Sequence, residues 1–278
     1  SYSNKVIISP IDYNDYVYDL HCEQTNRYFA NNILVHNTDS IGVMPIETVE
    51  EGKRLETHLN DQLIEWSKSH NSKVNFKLKF EKLYRRILFK SDKKGSGVKK
   101  KYCGHIIWEE GRDKSNDREL NYKGLELKRS DQSEVTRDVL HYFLEKVLID
   151  GNTKEALDYV KKIYNNIKSG NIDIYAISIP KAVRKVSYST DNAWIRGIYT
   201  AKTEYNYIIQ EGVKPRLIYL KRGEICIDED FDTSQIKDKI DYKKMADKVI
   251  KQKMESYIWS INQNWDHVIH NQQSLDNW

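Results

Sequence analysis

The sequence predicts an α+β chain in three parts: a short β-rich opening over 1–37, a sheet with a packed helix over 38–131, and a mainly helical remainder over 132–278. Three observations predict this. The opening stretch carries short β-branched and aromatic runs between Asp and Asn turn formers. A strict period-two alternation follows, beside a segment of helical period. Beyond Asp131 the apolar residues recur mainly at helical spacing.

In the first part, Val6-Ile7-Ile8, Tyr16-Val17-Tyr18 and Ile33-Leu34-Val35 read as strands. Too few apolar residues accompany them for an independent core, so this piece requires a partner. In the second part Ile41–Met44 reads as a buried strand. A helix follows, opened by the capping-box pair Thr48 and Glu51, with Leu55, Leu59 and Leu63 on one face and Trp66 nearby. Val74, Phe76, Leu78 and Phe80 then alternate with Asn75, Lys77, Lys79 and Glu81, a half-buried strand with Glu81 on its polar face. Tyr84–Lys90 and Tyr102–Trp108 make further strands, joined in a hairpin through Gly95-Ser96-Gly97.

In the third part Val135, Val139, Leu140, Phe143 and Val147 define one helix. Ala156, Val160, Ile163 and Ile167 define a second, joined to it near Gly151-Asn152. Ile172–Ile179 is apolar and β-like, ending at Pro180. A helix over Trp194–Ile209 and a strand over Leu217–Leu220 come next. The tail reads as polar and helical from Tyr242, and loose after Asn262.

With 278 residues, the chain can form two domains or one large one, and its 39% hydrophobic content allows sizeable cores. The formal net charge of +4 says little about partners. The local cluster Lys93, Lys94, Lys99, Lys100 and Lys101 says more: it is a solvated loop or a phosphate-binding patch. Cys22, Cys103 and Cys226 are too far apart for a zinc motif or a disulfide framework, which fits a reducing, cytoplasmic compartment. No apolar run spans a bilayer and no secretory signal is present, so no membrane partner is expected. The first residue is Ser1, as expected of a fragment or of a processed or engineered chain.

The junction His36-Asn37-Thr38-Asp39-Ser40 carries two chemistries. Cleavage after an asparagine requires its side-chain amide to attack its own carbonyl carbon, closing a succinimide and expelling the next residue. A preceding histidine can hydrogen-bond the scissile carbonyl and protonate the leaving amine. A following Ser, Thr or Cys can first take over the upstream acyl chain. His36, Asn37 and Thr38 supply these types in order. The longer run Val17-Tyr18-Asp19-Leu20, then Tyr28-Phe29-Ala30-Asn31-Asn32-Ile33-Leu34-Val35-His36-Asn37, closely resembles the two C-terminal motifs of inteins. That resemblance implies Asn37 as the cyclising residue, His36 as its assistant, Thr38 as the first nucleophile beyond the insert and Asp19 as its activator. The family's second histidine is replaced by Asn26, which hydrogen-bonds but does not shuttle a proton near neutral pH. An N-terminal intein half is expected elsewhere, either as a split partner or as the missing front of a truncated sequence. The simpler reading makes His36 and Asn37 turn caps.

Asp39 leads into Ile41-Gly42-Val43, and alone it would be a turn before a strand. An upstream chain ending Tyr-Gly-Asp, spliced onto Thr38, would read Tyr-Gly-Asp-Thr-Asp-Ser and bring two carboxylates together, as two divalent metals require. Phe80-Glu81-Lys82, then Lys99-Lys100-Lys101-Tyr102-x-Gly104, then Lys123-Gly124-Leu125-Glu126-x-Lys128-Arg129-Ser130-Asp131 follow in order. With Asp39 they resemble the motifs of family B DNA polymerases, most closely through Asp131.

This second resemblance implies an intein segment over 1–37, the C-terminal part of a palm over 38–131 and a thumb over 132–278. It further implies Asp39 and Glu81 at a two-Mg2+ site completed by an upstream aspartate, and Lys99, Lys100, Tyr102, Lys123 and Arg129 on a primer–template. The other implied partners are a dNTP and an N-terminal polymerase and intein fragment, at a nucleoid or viral replication site. Ile179-Pro180-Lys181 and Trp194-Ile195-Arg196-Gly197 are similar to thumb segments, where Lys181, Lys185 and Arg196 either touch duplex backbone or are simple surface charge. Gln272, Leu275 and Trp278 resemble a sliding-clamp docking peptide. The competing reading is a DNA-binding accessory protein with a degenerate site. A splicing element on an unrelated host fits the lysine–tyrosine and Lys-Gly-Leu-Glu motifs less well. Glu81 as a solvent-facing strand residue and the lysine run as a solvated hairpin are the plainer local readings.

Overall fold

The structure is a computed structural model that describes residues 46–71, 77–94, 97–125, 130–182, 192–210 and 212–270, together with 27–30 and 33–36. For those last two stretches and for Lys99 and Lys100 it describes the backbone alone. The expected strands at Val6–Ile8, Tyr16–Tyr18 and Ile41–Met44, the Gly95-Ser96 turn and the clamp-type tail lie outside the described residues. The chain combines helices with antiparallel sheets. It divides into two compact units, one formed by Ser1–Leu83 and Ile107–Asn116, the other by Tyr84–Ile106 and Asp117–Trp278. Among the described residues no helix is long and apolar enough to cross a membrane.

In the first unit, β1 (Arg27–Ala30) and β2 (Ile33–His36) pair antiparallel. Helix α1 (Val49–Ser69) starts at the expected capping box, with the Thr48 hydroxyl accepting from the Glu51 amide and the Glu51 carboxylate accepting from the Thr48 amide. Leu55, Leu59 and Leu63 are half-buried, whereas Trp66 is 45% exposed and stacks on His70 at 4.7 Å. The alternation expected through Glu81 holds in burial from Lys77 to Glu81, but these residues form no ladder and the strand begins at Lys82. Asn60 takes the place of a neighbouring strand. Its amide donates to the Leu78 carbonyl at 3.0 Å and accepts from the Leu78 amide at 2.8 Å. β3 (Lys82–Ser91) and β4 (Gly97–Glu109) are sheet neighbours that belong to this unit only at Lys82–Leu83 and Ile107–Glu109 and otherwise to the second, and β5 (Arg112–Asp113) folds back on Trp108 and Glu109.

In the second unit, β6 (Leu120–Lys123) pairs with β4, and one face of this sheet meets the helical core. Helix α2 (Glu134–Leu144), capped by Ser133, continues as a widened π-type turn over Glu145–Asp150. It ends at Gly151, whose φ of 70° is the left-handed region that glycine enters without strain. Asn152 then caps α3 (Thr153–Lys168). The β-like reading of Ile172–Ile179 is corrected. Asp173 accepts a hydrogen bond from the Tyr175 amide and so caps a one-turn helix α4 (Ile174–Ile177), which leaves β7 only Ile179–Pro180.

The helix expected to reach Ile209 stops earlier: α5 spans Ala193–Tyr205 and ends at Asn206, with φ 52°. The mainly helical part also holds an antiparallel sheet in the order β7, β8 (Arg216–Tyr219), β9 (Glu224–Ile227). At Gly197 a Cβ would sit 2.9 Å from the Cys226 amide nitrogen, so only glycine lets α5 lie this close on β9. The tail is core, not a polar appendage. From α6 (Tyr242–Ala246), through a second π-type turn, into α7 (Gln252–Trp259), it buries Met245, Ala246, Val249, Ile250, Met254, Tyr257 and Ile258. The expected looseness after Asn262 gives way to α8 (Trp265–His270), whose Trp265 meets Tyr164 edge-on at 5.1 Å.

Candidate nucleic-acid interface

β4 and β6 make a two-faced surface within the second unit. Cys103 pairs with Tyr122 and His105 with Leu120, and these residues face the core; Cys103 is fully buried and His105 is 1% exposed. Burial pushes the Cys103 thiol up to about 12, so it is a packing group. The alternate residues face the other way. Tyr102 pairs with Lys123 and Gly104 with Asn121. Two lysine-bearing motifs far apart in sequence therefore meet across one ladder.

The same outward face carries two aromatic residues from β3. Phe89 is 50% exposed, with its ring tilted against Tyr102 at 6.1 Å. Tyr84 donates to Asn121 Oδ1 at 3.1 Å. A Cβ on Gly104 would come within 2.4 Å of the Tyr84 ring, so the glycine of the Lys-Lys-Lys-Tyr-x-Gly motif is the bed for that ring. Lys99 and Lys100 belong to the same strand as Tyr102. Lys123 is exposed and the chain turns sharply after it at Gly124, φ 67°. Aromatic rings beside lysines suit a sugar–phosphate backbone, because phosphates need charge and bases or sugars need a flat apolar partner. Phe89, Tyr84 and Asn121 were not singled out from sequence. The legible signal is Phe89, an aromatic next to buried Leu88 and so on the opposite face.

Glu81 lies in the first unit and is exposed. Its neighbour Phe80 turns the other way, stacking on Trp108 at 4.7 Å and filling the space over Gly52. The Glu81 carbonyl accepts from the Glu110 amide at 3.0 Å. The nearby acids are taken by lysines: Glu109 by Lys114 and Lys82, and Glu110 by Lys79, whose hydrogen bonds hold both carboxyls below the usual carboxylate range. Among the described residues no cation forms an ion pair with Glu81. Its hard oxygens suit Mg2+. Among the described residues no group of three or more His, Cys, Asp or Glu gathers in a way that could hold a metal. Asp39, Asp19, Asn37, Thr38, Arg129, Lys185, Gln272, Leu275 and Trp278 lie outside the described residues, and His36 is placed by its backbone at the end of β2.

Of the later cations, Lys181 Nζ sits 4.4 Å above the Trp194 ring. Arg196 is half-exposed and donates through Nε to the buried carboxylate of Glu224, whose charge fixes the guanidinium at the surface.

The structure is that of an α+β protein whose sheet buries one face on a helical bundle and carries Lys123 and Tyr102 on the other. The sequence comparisons give the family. The description "DNA polymerase family B" matches residues 16–271, and the chain belongs to that family. It is similar to a DNA polymerase of Thermococcus aggregans, 33% identical over 181 residues, which covers 64% of this chain and 9% of that protein. It is also similar to the DNA polymerase delta catalytic subunits of Dictyostelium discoideum (32% over 111 residues, 40% of this chain and 9% of that protein) and Plasmodium falciparum (26% over 209 residues, 70% and 18%). The chain thus spans about a tenth of the length of the Thermococcus relative.

Proposed function

We propose that the chain is the C-terminal part of a DNA-directed DNA polymerase that extends a primer by nucleotidyl transfer, and that residues 1–37 are an intein segment removed by splicing at Asn37–Thr38. Residues 38–131 act as palm and 132–278 as thumb. The observation that carries the reading is the cross-strand meeting of Tyr102 with Lys123 on the outward face of β4 and β6.

On this reading Lys99, Lys100, Lys123 and Arg129 neutralise primer–template phosphates without reading sequence, and Tyr102 packs on the sugar or base edge between them. Lys181 and Arg196 add backbone contacts further along the duplex. Asp39 and Glu81 supply hard oxygen ligands to Mg2+, together with an aspartate from the upstream chain. The bound ions would activate the primer 3′ hydroxyl and hold the triphosphate of the dNTP. For excision, Asp19 activates Thr38, His36 serves the scissile carbonyl, and the Asn37 amide closes the ring. Gln272, Leu275 and Trp278 dock a sliding clamp.

The test is co-expression with the upstream polypeptide ending Tyr-Gly-Asp, followed by intact-mass measurement and primer extension. The expected products are a joined polymerase and a released insert, with Asn37→Ala blocking the release. Asp39→Ala in the joined enzyme should abolish extension and leave duplex binding intact. Extension at the parental rate in that variant would refute the metal assignment. Duplex binding without synthesis in the unmodified joined protein would favour an accessory protein.

A further inference from the structure

A second group of lysines and tyrosines in the second unit has no part in the sites described above. Three backbone contacts assemble it. Leu220 bridges Ile240, the Lys221 amide donates to the Lys239 carbonyl at 2.8 Å, and the Asp241 amide donates to the Tyr219 carbonyl at 3.0 Å. The segment before α6 is thereby stitched to the end of β8, where the Tyr219 amide reaches Met245 Sδ of α6 at 3.3 Å. Side chains distant in sequence then meet. Lys244 and Lys248 place their ammonium groups 4.3 and 5.8 Å from the centre of the Tyr219 ring. Lys239 Nζ lies 4.7 Å over the Tyr205 ring and donates to its hydroxyl at 3.0 Å. Lys221 and Arg222 are exposed in the turn after β8.

Among the described residues none of these cations forms an ion pair. Nearby acids are engaged otherwise: Glu224 holds Arg196, Asp241 accepts from the Lys244 amide, and Asp247 accepts from the Tyr164 hydroxyl. Asp238 and Glu204 are exposed beside the group, so positive charge is in excess. The exposed large apolar residues, Ile64, Trp66, Phe89, Tyr199, Ile208 and Val213, all lie outside 216–251. A protein-binding face has an apolar or aromatic centre and is poor in lysine, so this composition suits a polyanion. Both tyrosines pack against the core and carry ammonium groups over their rings, which leaves bases no platform to stack on.

From this arrangement we infer that Lys239, Lys244 and Lys248, with Lys221 and Arg222 beside them, form a second nucleic-acid track that takes the sugar–phosphate backbone and no base. The inference rests on the nucleic-acid reading above and assigns to this surface a stretch of backbone that the Tyr102 face does not hold. Arg196 adjoins the track, because Glu224, which holds its guanidinium, is the ladder partner of Tyr219. The rings do the positioning. A lysine on its flexible stem gives up rotamer freedom when it holds a phosphate. Here the negative face of a ring already keeps each ammonium in place.

The test follows anisotropy of a labelled duplex of about 30 base pairs, about 100 Å long, against the full chain across a salt series. In the combined Lys239→Gln, Lys244→Gln, Lys248→Gln variant the logarithmic salt slope should become shallower by about 2.7, about 0.9 for each lysine. Between about 50 and 200 mM salt that variant should lose about 40-fold less affinity than the parent. Lys244→Gln alone should show about a third of the slope change, which keeps the test open if the combined variant melts early. Arginine at all three positions should keep the parental slope, because charge and ring contact are both retained. The change should be the same on A·T-rich and G·C-rich duplexes. A parental slope in the glutamine variants, with Lys123→Gln still flattening it, overturns the second track and leaves the Tyr102 face standing. An arginine variant that behaves like the glutamine one, or a change confined to one sequence, overturns it as well. Weakened retention on immobilised polyglutamate with an unchanged DNA slope would assign the surface to an acidic protein segment instead. A parent that binds no duplex overturns the nucleic-acid reading itself, and with it the inference.

Discussion

Lys123→Gln tests the interface where its geometry is most defined. Lys123 is exposed at the end of β6, directly across from Tyr102 and just before the turn at Gly124. Being exposed, its loss should leave folding stability within about 0.5 kcal/mol. If Lys99, Lys100, Lys123 and Arg129 each neutralise one phosphate, affinity for a primer–template falls with salt at a logarithmic slope of about −3.6. Removing one contact brings the slope to about −2.7. Between about 50 and 200 mM salt the variant should therefore lose about 3.5-fold less affinity than the parent, while binding more weakly at the low-salt end. Fluorescence anisotropy of a labelled primer–template against the full chain, across a salt series, reads both effects. The weakening should also be uniform across sequences, because lysine on phosphate carries no base readout. Parallel salt plots for parent and variant, with a normal melting curve, would show that Lys123 is surface charge and that its pairing with Tyr102 has no bearing on nucleic acid.

Two further predictions concern the scaffold. Gly197→Ala places a Cβ 2.9 Å from the Cys226 amide nitrogen and 3.0 Å from the Ile225 carbonyl carbon, backbone atoms that cannot swing aside, so it should cost about 1–3 kcal/mol in thermal unfolding; an unshifted melt would refute the close approach of α5 and β9. Hydrogen bonds from the Glu47 and Thr48 amides hold the Glu51 carboxyl below the usual carboxylate range, so the cap supports α1 above the ordinary carboxylate pKa and is lost as pH falls through the lowered one; amide exchange in the first turn of α1 should accelerate over that acid window, and Glu51→Gln should flatten the response.

The legible parts of this fold were those with local signals. The Thr48–Glu51 box and the helical spacing of Val135–Val147 and Ala156–Ile167 each specify an element from within one segment. The losses came where tertiary contacts decide. β9 is a four-residue run whose strand character comes from pairing with β8 and from the backbone of α5 above it. The Tyr242–Trp259 segment reads as polar because Lys243, Lys244, Lys248, Lys251 and Lys253 crowd it. Its apolar residues still form one stripe, and the π-type turn at Asp247–Lys251 shifts the phase that a regular 3.6 period would keep. The candidate site was half legible. Residue types marked Tyr102 and Lys123 separately, but a sequence carries no strand register, and it is the register that sets them opposite one another.

That pairing is useful only if the sheet is held rigidly, and the inner side of the second unit supplies the means. Arg86 of β3 donates at 3.1 Å to the carbonyls of both Leu148 and Ile149, the unpaired acceptors at the end of the α2 extension. The guanidinium occupies the space where any residue but glycine at 151 would place its Cβ, 2.7 Å from Nη2. Arg118, just before β6, pairs with Asp150 at 2.9 Å, and Lys146 bridges Asp150 and Glu155. The strand that carries Phe89 and the segment that leads to Lys123 are thus both tied to a single corner of the helical bundle. A surface that grips phosphates without reading sequence needs fixed spacing between its cations more than it needs any one of them. On the proposed DNA-binding reading, the corner at Asp150 and Gly151 is where that spacing would be set.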